Sequence, residues 1–136
     1  MSVEAFLDSN VILYVTSKDP ADAAKSARAA ELIRSTNFDV SMQVAQEFYH
    51  NARLKARLAI TPEQAEAIIT LLLAHPFVVT DAELFAHARH LCDRYQLSYW
   101  DAAIAAAARL GAPVLYSEDL NHGQNYDGVE VVSPFR

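Results

Sequence analysis

The chain has 136 residues, of which 52% are hydrophobic and 21% are charged, and this composition excludes a disordered polar chain. Its formal net charge of −6 at pH 7 disfavours a protein that coats nucleic acid through a basic surface. An enzyme that acts on nucleic acid is still allowed, because clustered acids could hold metal ions that reverse the local charge. The apolar runs are short, no secretion signal is recognisable and Cys92 is the single cysteine, so we expect a cytoplasmic protein without a membrane span.

Short apolar segments alternate with helical patterns along the sequence, and no repeat or linker divides it, so we expect a single domain over residues 1–136. The predicted strands are, in chain order, 6–7, 38–40, 77–79, 114–116 and 129–132. The predicted helices are 10–15, 23–33, 43–57, 61–75, one that starts at 80, and 98–111. Strands separated by helices indicate an α/β fold, with parallel strands and helices on both faces of the sheet.

Three of the predicted helices carry capping signals at their N-termini. Thr61 and Gln64 form a capping box, and Thr80 and Glu83 form a second one. Ser98 fits the N-cap position of the last helix. These residues therefore predict where three helices begin.

Acidic side chains follow two of the predicted strands at the point where each strand ends. Asp8 comes directly after the first strand, and Glu118 and Asp119 follow strand 114–116. Because ligands bind beside the carboxyl ends of parallel strands, we expect Asp8 and Asp119 to meet at one rim of the sheet if the two strands are neighbours. The alternatives are structural: Asp8 could cap the following helix, Asp119 could cap a turn, and Glu118 is expected on the solvated surface.

Asp101 opens a helix that is almost wholly apolar and rich in alanine, "AAIAAAARL". Such a helix is buried and approaches the sheet closely, so we expect Asp101 near the core, where a carboxylate is costly unless positive charge offsets it. The alternative is a capping role within the S-x-x-D pattern of residues 98–101. We expect the neighbouring Tyr99 and Trp100 to pack in the core rather than to stack on a base.

Glu47 lies on the predicted helix 43–57, in a segment rich in basic residues. At about 100° per residue, His50 shares its face of the helix, with Arg53 and Arg57 at the edge. A carboxylate beside cationic groups suits a site that holds metal and phosphate together. The alternative is an ordinary glutamate on the surface of a helix.

Four converging carboxylates would repel one another unless a cation lay between them. Oxygen ligands without cysteine, and without a convincing histidine spacing, point to a hard cation, Mg²⁺ or Mn²⁺, rather than to zinc. His87 and His90 lie three residues apart on one helix, but no further ligand is near them in the sequence, and we interpret them as surface residues.

Five segments together resemble one known family: "FLDSNVILY", the isolated Glu47, "LSYWDAAIAAAA", "LYSEDLNHGQ" and "VVSPF". In this order and at these separations they resemble the PIN-domain ribonucleases, and in particular the VapC toxins of bacterial toxin–antitoxin pairs. The likeness extends over nearly the whole chain. It implies a three-layer α/β/α sandwich around a central parallel sheet.

The resemblance also implies an activity and partners: a Mg²⁺-dependent endoribonuclease, with Mn²⁺ as an alternative ion, that forms homodimers and is inhibited by a cognate VapB-type antitoxin. The family's four acidic places, catalytic and metal-binding, are taken by Asp8, Glu47, Asp101 and Asp119. Asn10 and Ser117 match the polar residues that accompany those acids. Arg53 and Arg57 are candidate contacts for the RNA backbone, with a solvated surface or an antitoxin contact as alternatives.

Two other functions remain open at this point. A Mg²⁺-dependent phosphatase could also use an acid after the first strand, but such enzymes commonly need a second Asp two residues later, where this chain has Asn10. A catalytically inactive PIN-like interaction module would use its acids only to cap helices. The presence of an acid at each of the four places argues against that module.

Overall fold

The structure, a computed structural model, describes residues 3–75 and 77–136. Strands and helices alternate through most of this part of the chain, as the sequence predicts. In chain order the elements are β1 (Ala5–Leu7), α1 (Ser9–Thr16), α2 (Ala23–Ser35), β2 (Phe38–Ser41), α3 (Met42–Leu54), α4 (Pro62–Ala74), β3 (Phe77–Val78), α5 (Ala82–Tyr95), α6 (Tyr99–Arg109), β4 (Val114–Tyr116), β5 (Asn125–Tyr126) and β6 (Val129–Val132). Single 3₁₀ turns at Pro20–Asp22 and Ala56–Leu58 complete them.

The strands form one sheet in the order β3-β2-β1-β4-β6-β5. All neighbouring pairs are parallel except β5 with β6. From β1 the chain builds outward to β2 and β3 on one side, and β4 then begins the other side. The reversal of strand order therefore lies between β1 and β4, where Leu7 pairs with Tyr116. In open parallel sheets this is the place where ligands bind.

The antiparallel strand β5 was not predicted; it adds a short edge to the central parallel sheet that the sequence predicts. The turn between β5 and β6 has Asp127 at φ 53° and Gly128 at φ 103°. Positive φ at both central positions is the geometry of a two-residue hairpin, which the Asp-Gly pair favours. The pair is visible in the sequence, so this hairpin could have been found there.

The helices form two groups by their contacts. Helices α1 to α4 are linked in pairs, α1 with α2, α1 with α3, and α3 with α4, whereas α5 packs on α6. Helix α6 also contacts β2, β4 and β6, and its residues 102–108 are all buried. This confirms the buried, alanine-rich helix and the three-layer α/β/α architecture. Within the described chain, no helix is both long and apolar enough to cross a bilayer.

Two helices begin where their capping residues place them, and one begins differently. The capping box of Thr61 with Gln64 and the N-cap at Ser98 are both confirmed. The predicted box at residues 80–83 is wrong, because Asp81 caps α5 by accepting the Leu84 N–H at 2.8 Å. Asp is a better N-cap than Thr, so the helix starts one residue later. Pro76, which the sequence places just after α4, lies outside the described residues.

Helices α2 and α3 also differ in detail from the prediction. The sequence predicts α2 from apolar residues at helical spacing, Ala23, Ala27, Ala30 and Ile33, but its buried residues are Ala29 and Leu32, and Ala27 is exposed. Helix α3 ends at Leu54 instead of continuing to Arg57. The chain leaves the helix at Lys55, with φ −91° and ψ 88°, and enters the second 3₁₀ turn. Arg57 therefore does not share a helix with Glu47.

Candidate active site

All four predicted acids lie on one groove at the carboxyl end of the sheet. Asp8 follows β1 and Asp119 comes three residues after β4, whereas Glu47 lies on α3 and Asp101 in the first turn of α6. The groove has a volume of about 580 Å³, and its other walls carry hydroxyl, amide and basic groups together with Trp100. We call it the acidic groove. The fold thus gathers acids from four separate segments of the chain.

Asp8 is the most buried of the four acids, at 5% exposure. The Ser9 N–H donates to its Oδ1 at 2.7 Å, and the Ser117 hydroxyl donates to its Oδ2 at 2.8 Å. The pKa of Asp8 is raised to about 6, chiefly by burial; the hydrogen bonds from Ser117 and Ser9 oppose this rise, and the charges of Glu47 and Asp119 add to it. Asp8 caps α1, as one alternative foresaw, and at the same time lines the acidic groove.

Glu47 is held by two polar side chains that the sequence interpretation did not single out. The Ser9 hydroxyl donates to its Oε1 at 3.1 Å. The Gln43 amide donates to its Oε2 at 3.2 Å and to the backbone carbonyl of Trp100 at 3.1 Å. Gln43 lies four residues before Glu47 on α3, a spacing that puts the two side chains side by side. The contact with Gln43 could therefore have been predicted from the sequence. The contact with Ser9, 38 residues away, leaves no sequence signal.

Asn10 and Ser117 connect α1 to the loop after β4. The Asn10 amide donates to Asp119 Oδ2 at 3.1 Å, and its carbonyl oxygen accepts the Glu118 N–H at 3.2 Å. Ser117 is fully buried, and its hydroxyl accepts the Asp119 N–H at 3.2 Å while it donates to Asp8. These two residues therefore fix where Asp119 stands relative to Asp8.

Asp101 differs from the other acids in its surroundings. Its backbone N–H donates to the Ser98 hydroxyl at 3.3 Å, so Ser98 provides the helix cap. No hydrogen bond to its carboxylate occurs within residues 3–75 and 77–136, and the side chain faces the groove half-exposed. The expected core packing is wrong for Trp100, which is 65% exposed, whereas Tyr99 packs edge-on against Phe85 with ring centroids 5.8 Å apart.

Glu118 turns away from the groove, although it is adjacent to Asp119. Its carboxylate forms an ion pair with Lys25 and accepts the Tyr14 hydroxyl at 2.6 Å. The Lys25 ammonium also lies 4.9 Å from the centre of the Tyr14 ring. Glu118 is therefore half-buried in a structural contact, not on the open surface that the sequence suggested.

Of the basic residues, His50 lies where the helical pattern placed it, beside Glu47, whereas Arg57 does not. His50 and Lys55 line the acidic groove. Arg57 lines a smaller adjoining cavity and pairs with Asp19 at 3.1 Å and with Asp22 at 2.9 Å. Arg53 donates to the Tyr49 hydroxyl at 2.7 Å on the exposed side of α3.

The donor set of the groove consists of carboxylate oxygens, with hydroxyl and amide groups around them, and this chemistry fits a hard cation such as Mg²⁺. Asp8 keeps a raised pKa because protein contacts offset only part of its burial and of the charge of its neighbours. Among the side chains that the structure describes, no three His, Cys, Asp or Glu lie close enough together to hold a metal ion as they stand. The acids share the groove but are each anchored by the backbone of a separate segment.

Several solved structures have the same fold at low sequence identity. A toxin–antitoxin complex from Klebsiella pneumoniae is similar with a TM-score of 0.71 and 17% identity, covering 96% of this chain and 98% of that chain. VapC20 from Mycobacterium tuberculosis, described as a toxin that cleaves the sarcin–ricin loop, is similar with a TM-score of 0.64 and 22% identity, covering 85% and 90%. FitAcB from Neisseria gonorrhoeae gives a TM-score of 0.67 and 20% identity, covering 96% and 98%.

The sequence itself assigns the chain to a family. No curated protein sequence matches it significantly. Residues 5–126, however, match the PIN domain. This segment of the chain runs from β1 to β5 and contains all four groove acids. The chain belongs to the PIN domain family.

Proposed function

We propose that the chain is a Mg²⁺-dependent endoribonuclease that hydrolyses RNA phosphodiesters at the acidic groove. The observation that carries this proposal is the convergence of Asp8, Glu47, Asp101 and Asp119 on one groove, where the strand order reverses in a PIN domain. Ligands bind at this place in parallel sheets, and acids gathered there with no ion pair among the described residues suit a bound divalent ion.

Asp8, Asp101 and Asp119 are the residues that would hold Mg²⁺ directly, and Glu47 would bind it directly or through a water. Mn²⁺, which also prefers oxygen ligands, is the alternative ion. When bound, such an ion lowers the pKa of a coordinated water and offsets charge on the phosphate oxygens. Because the four acids are separately anchored, ion binding would require some of their side chains to turn inward.

The chain's other residues prepare the groove for the substrate. Ser9 and Ser117 hold Asp8, while Asn10 holds Asp119. In the reaction, the oxygen of a water bonds to phosphorus, one phosphorus–oxygen ester bond breaks, and the water's proton passes to the leaving oxygen. The products are one phosphate monoester end and one hydroxyl end. One of the groove acids is suited to orient that water.

Basic side chains near the groove are candidates for contacts with the RNA backbone. His50 and Lys55 lie on the groove itself. Arg53 is exposed on α3 and remains a candidate. Arg57 is a weaker one, because it would have to give up its ion pairs with two aspartates.

We further propose that this nuclease is the toxin of a type II toxin–antitoxin pair, a cytoplasmic homodimer inhibited by a VapB-type antitoxin. The support is the fold shared with a toxin–antitoxin complex from Klebsiella pneumoniae and with a toxin described as cleaving the sarcin–ricin loop. Two observations test this part: growth arrest after induced expression, and a neighbouring gene for a small DNA-binding protein whose co-expression restores growth.

The activity is tested by cleavage of a structured RNA pool with Mg²⁺, with EDTA and with Asp8→Asn. We expect Mg²⁺-dependent cleavage that EDTA stops and that Asp8→Asn lowers about 10²- to 10⁴-fold, the range typical of lost acid–base or electrostatic groups. Asp93→Asn is the matched control, because Asp93 is exposed on α5 away from the groove, and it should keep full activity.

The same assay separates the competing functions. If the protein binds RNA but cleaves none of the pool with Mg²⁺ or with Mn²⁺, an inactive interaction module is favoured. Phosphate release from a monoester without cleavage of diesters would favour a phosphatase. Equal activity of Asp8→Asn and the wild-type protein would remove the acidic groove from the mechanism.

A further inference from the structure

Trp100 is a large aromatic side chain that remains exposed inside a polar groove. It is the only tryptophan of the chain, it is 65% exposed, and it lines the acidic groove beside the next residue, Asp101. Burying an indole is favourable, and a tryptophan left open in a concave surface is typical of a binding site. The proposed mechanism assigns this ring no role.

The position of Trp100 is fixed by the same contacts that arrange the acids. Its backbone carbonyl accepts a hydrogen bond from Gln43, whose amide also donates to Glu47. Its ring packs edge-on against Tyr99, with centroids 4.9 Å apart and an angle of 75° between the planes. An edge-on neighbour supports the ring without covering both faces. The backbone at Trp100 is therefore tied to Gln43 and one side of the ring is supported before any ligand arrives, which lowers the entropic cost of binding.

The surroundings of the ring restrict what it can bind. Asp101 and Glu47 repel an anion that comes near without a cation, and an apolar protein segment would bury these two charges without a cation to offset them. A nucleobase is uncharged, has a flat π face, and carries polar edges that can reach such groups. Stacking of a base on an aromatic side chain is also favourable for every base.

We propose that Trp100 is a stacking platform for one unpaired nucleobase of the RNA, next to the phosphate held at the acidic groove. The inference rests on the proposed ribonuclease function and adds the side chain that would contact a base of the RNA beside the cleaved bond. In a duplex the bases are stacked on each other and cannot reach the indole, so fully paired RNA is a poor substrate.

Tryptophan fluorescence tests the contact directly, because every signal comes from Trp100. The full-length Asp8→Asn protein with Mg²⁺ is titrated with a single-stranded oligoribonucleotide, and in parallel with an abasic oligonucleotide of the same length and charge. We expect saturable quenching by the oligoribonucleotide and none by the abasic one. Equal quenching by both would mean that the ring senses phosphate binding only, and would overturn the proposal.

Variants measure the energetic contribution of the ring. Trp100→Leu should weaken binding of a labelled oligoribonucleotide about tenfold, as expected for one lost stacking contact, and should raise KM with little change in kcat. Trp100→Phe, which keeps an aromatic face, should retain most of the affinity. Leu110→Ala is the matched control: it removes a large apolar side chain, 64% exposed, that does not line the groove, and it should bind like the wild-type protein.

The outcomes separate this inference from the proposed function. Cleavage that survives in Trp100→Leu with unchanged KM overturns the stacking site and leaves the nuclease intact. Base-dependent quenching without cleavage of any RNA keeps the stacking site and removes the nuclease. A fluorescence change that follows protein concentration without RNA would mean that a second copy of the chain covers the ring, and would also overturn the proposal.

Discussion

Carboxylates at the two ends of the parallel sheet have opposite surroundings. At the end where β6 begins, Asp127 accepts a hydrogen bond from Tyr95 at 2.8 Å and lies 3.4 Å from both His90 and Arg94. The Tyr95 hydroxyl lowers the pKa of Asp127, and the neighbouring cationic groups lower it further. At the end where β1 stops, burial raises the pKa of Asp8 to about 6.

The difference shows that some acids of this chain are paired with a basic side chain and that the groove acids are not, among the residues described. Glu118, Asp22 and Asp127 each form an ion pair, and the described part of the chain contains no such pair for any groove acid. Asp8, Glu47 and Asp119 are held instead by hydroxyl and amide donors, which fix a carboxylate without cancelling its charge. We infer that this charge is kept for a bound cation.

The largest expected effect is a difference in RNA cleavage between variants of the two adjacent acids after β4. Asp119→Asn should lower RNA cleavage about 10²- to 10⁴-fold, because its carboxylate faces the groove. Glu118→Gln should change cleavage less than about twofold, since Glu118 pairs with Lys25 outside the groove. Rates measured on one RNA with Mg²⁺ check both. Equal losses would contradict the division into groove and structural acids.

A smaller effect concerns stability without metal. Folding raises the pKa of Asp8 from 3.8 to about 6, so the folded state becomes less stable as pH rises through this window, by up to about 3 kcal/mol. Asp8→Asn should not lose stability in this way, because Asn does not titrate. The substitution should also weaken part of the hydrogen bonding with Ser9 and Ser117, which lowers stability at every pH. Its stability advantage in EDTA should grow between about pH 4 and pH 6 and then stay constant.

Urea unfolding of both proteins across that pH range measures the difference. Millimolar Mg²⁺ should raise the melting temperature of the wild-type protein and raise that of Asp8→Asn less, because the variant lacks one of the proposed ligands. A stability difference that is independent of pH would show that Asp8 is not the group that titrates.

The smallest effect is expected at the opposite end of the sheet. The lowered pKa of Asp127 stabilises the fold above the unfolded value of 3.8, and this contribution is lost as pH falls through the folded pKa. Asp127→Asn should therefore lower the melting temperature at pH 7 by about 1–3 °C, and the difference should vanish in acid. Asn tolerates the positive φ of this turn, so the backbone should be unaffected. Asp93→Asn, tested by the same thermal melts, should show no change at either pH.

The general position of the site could be predicted because it depends on where elements end. Short apolar runs that stop at Asp8 and just before Asp119 identify strand ends, and the carboxyl ends of neighbouring parallel strands share one rim. The apolar helix after Asp101 indicates that this acid is carried on a buried element. Only Glu47 needed the family resemblance to rank above an ordinary surface glutamate.

The details that were wrong depend on distances through space. Arg57 leaves the line of α3 because the helix ends at Leu54 and the following turn brings the guanidinium to two aspartates. Hydrophobicity predicts burial of Trp100, but its place in the first turn of α6 puts the ring in the groove. The donor Ser9 reaches Glu47 only after α1 has packed on α3.

The outermost strands of the sheet, β3 and β5, have two residues each. An edge strand presents unpaired N–H and C=O groups that can recruit another polypeptide, and such short edges present few of them. Fibre-like growth by strand addition is accordingly disfavoured even when the protein is concentrated. If two copies associate, we expect them to meet through helices or loops, so that each copy retains a complete sheet of its own.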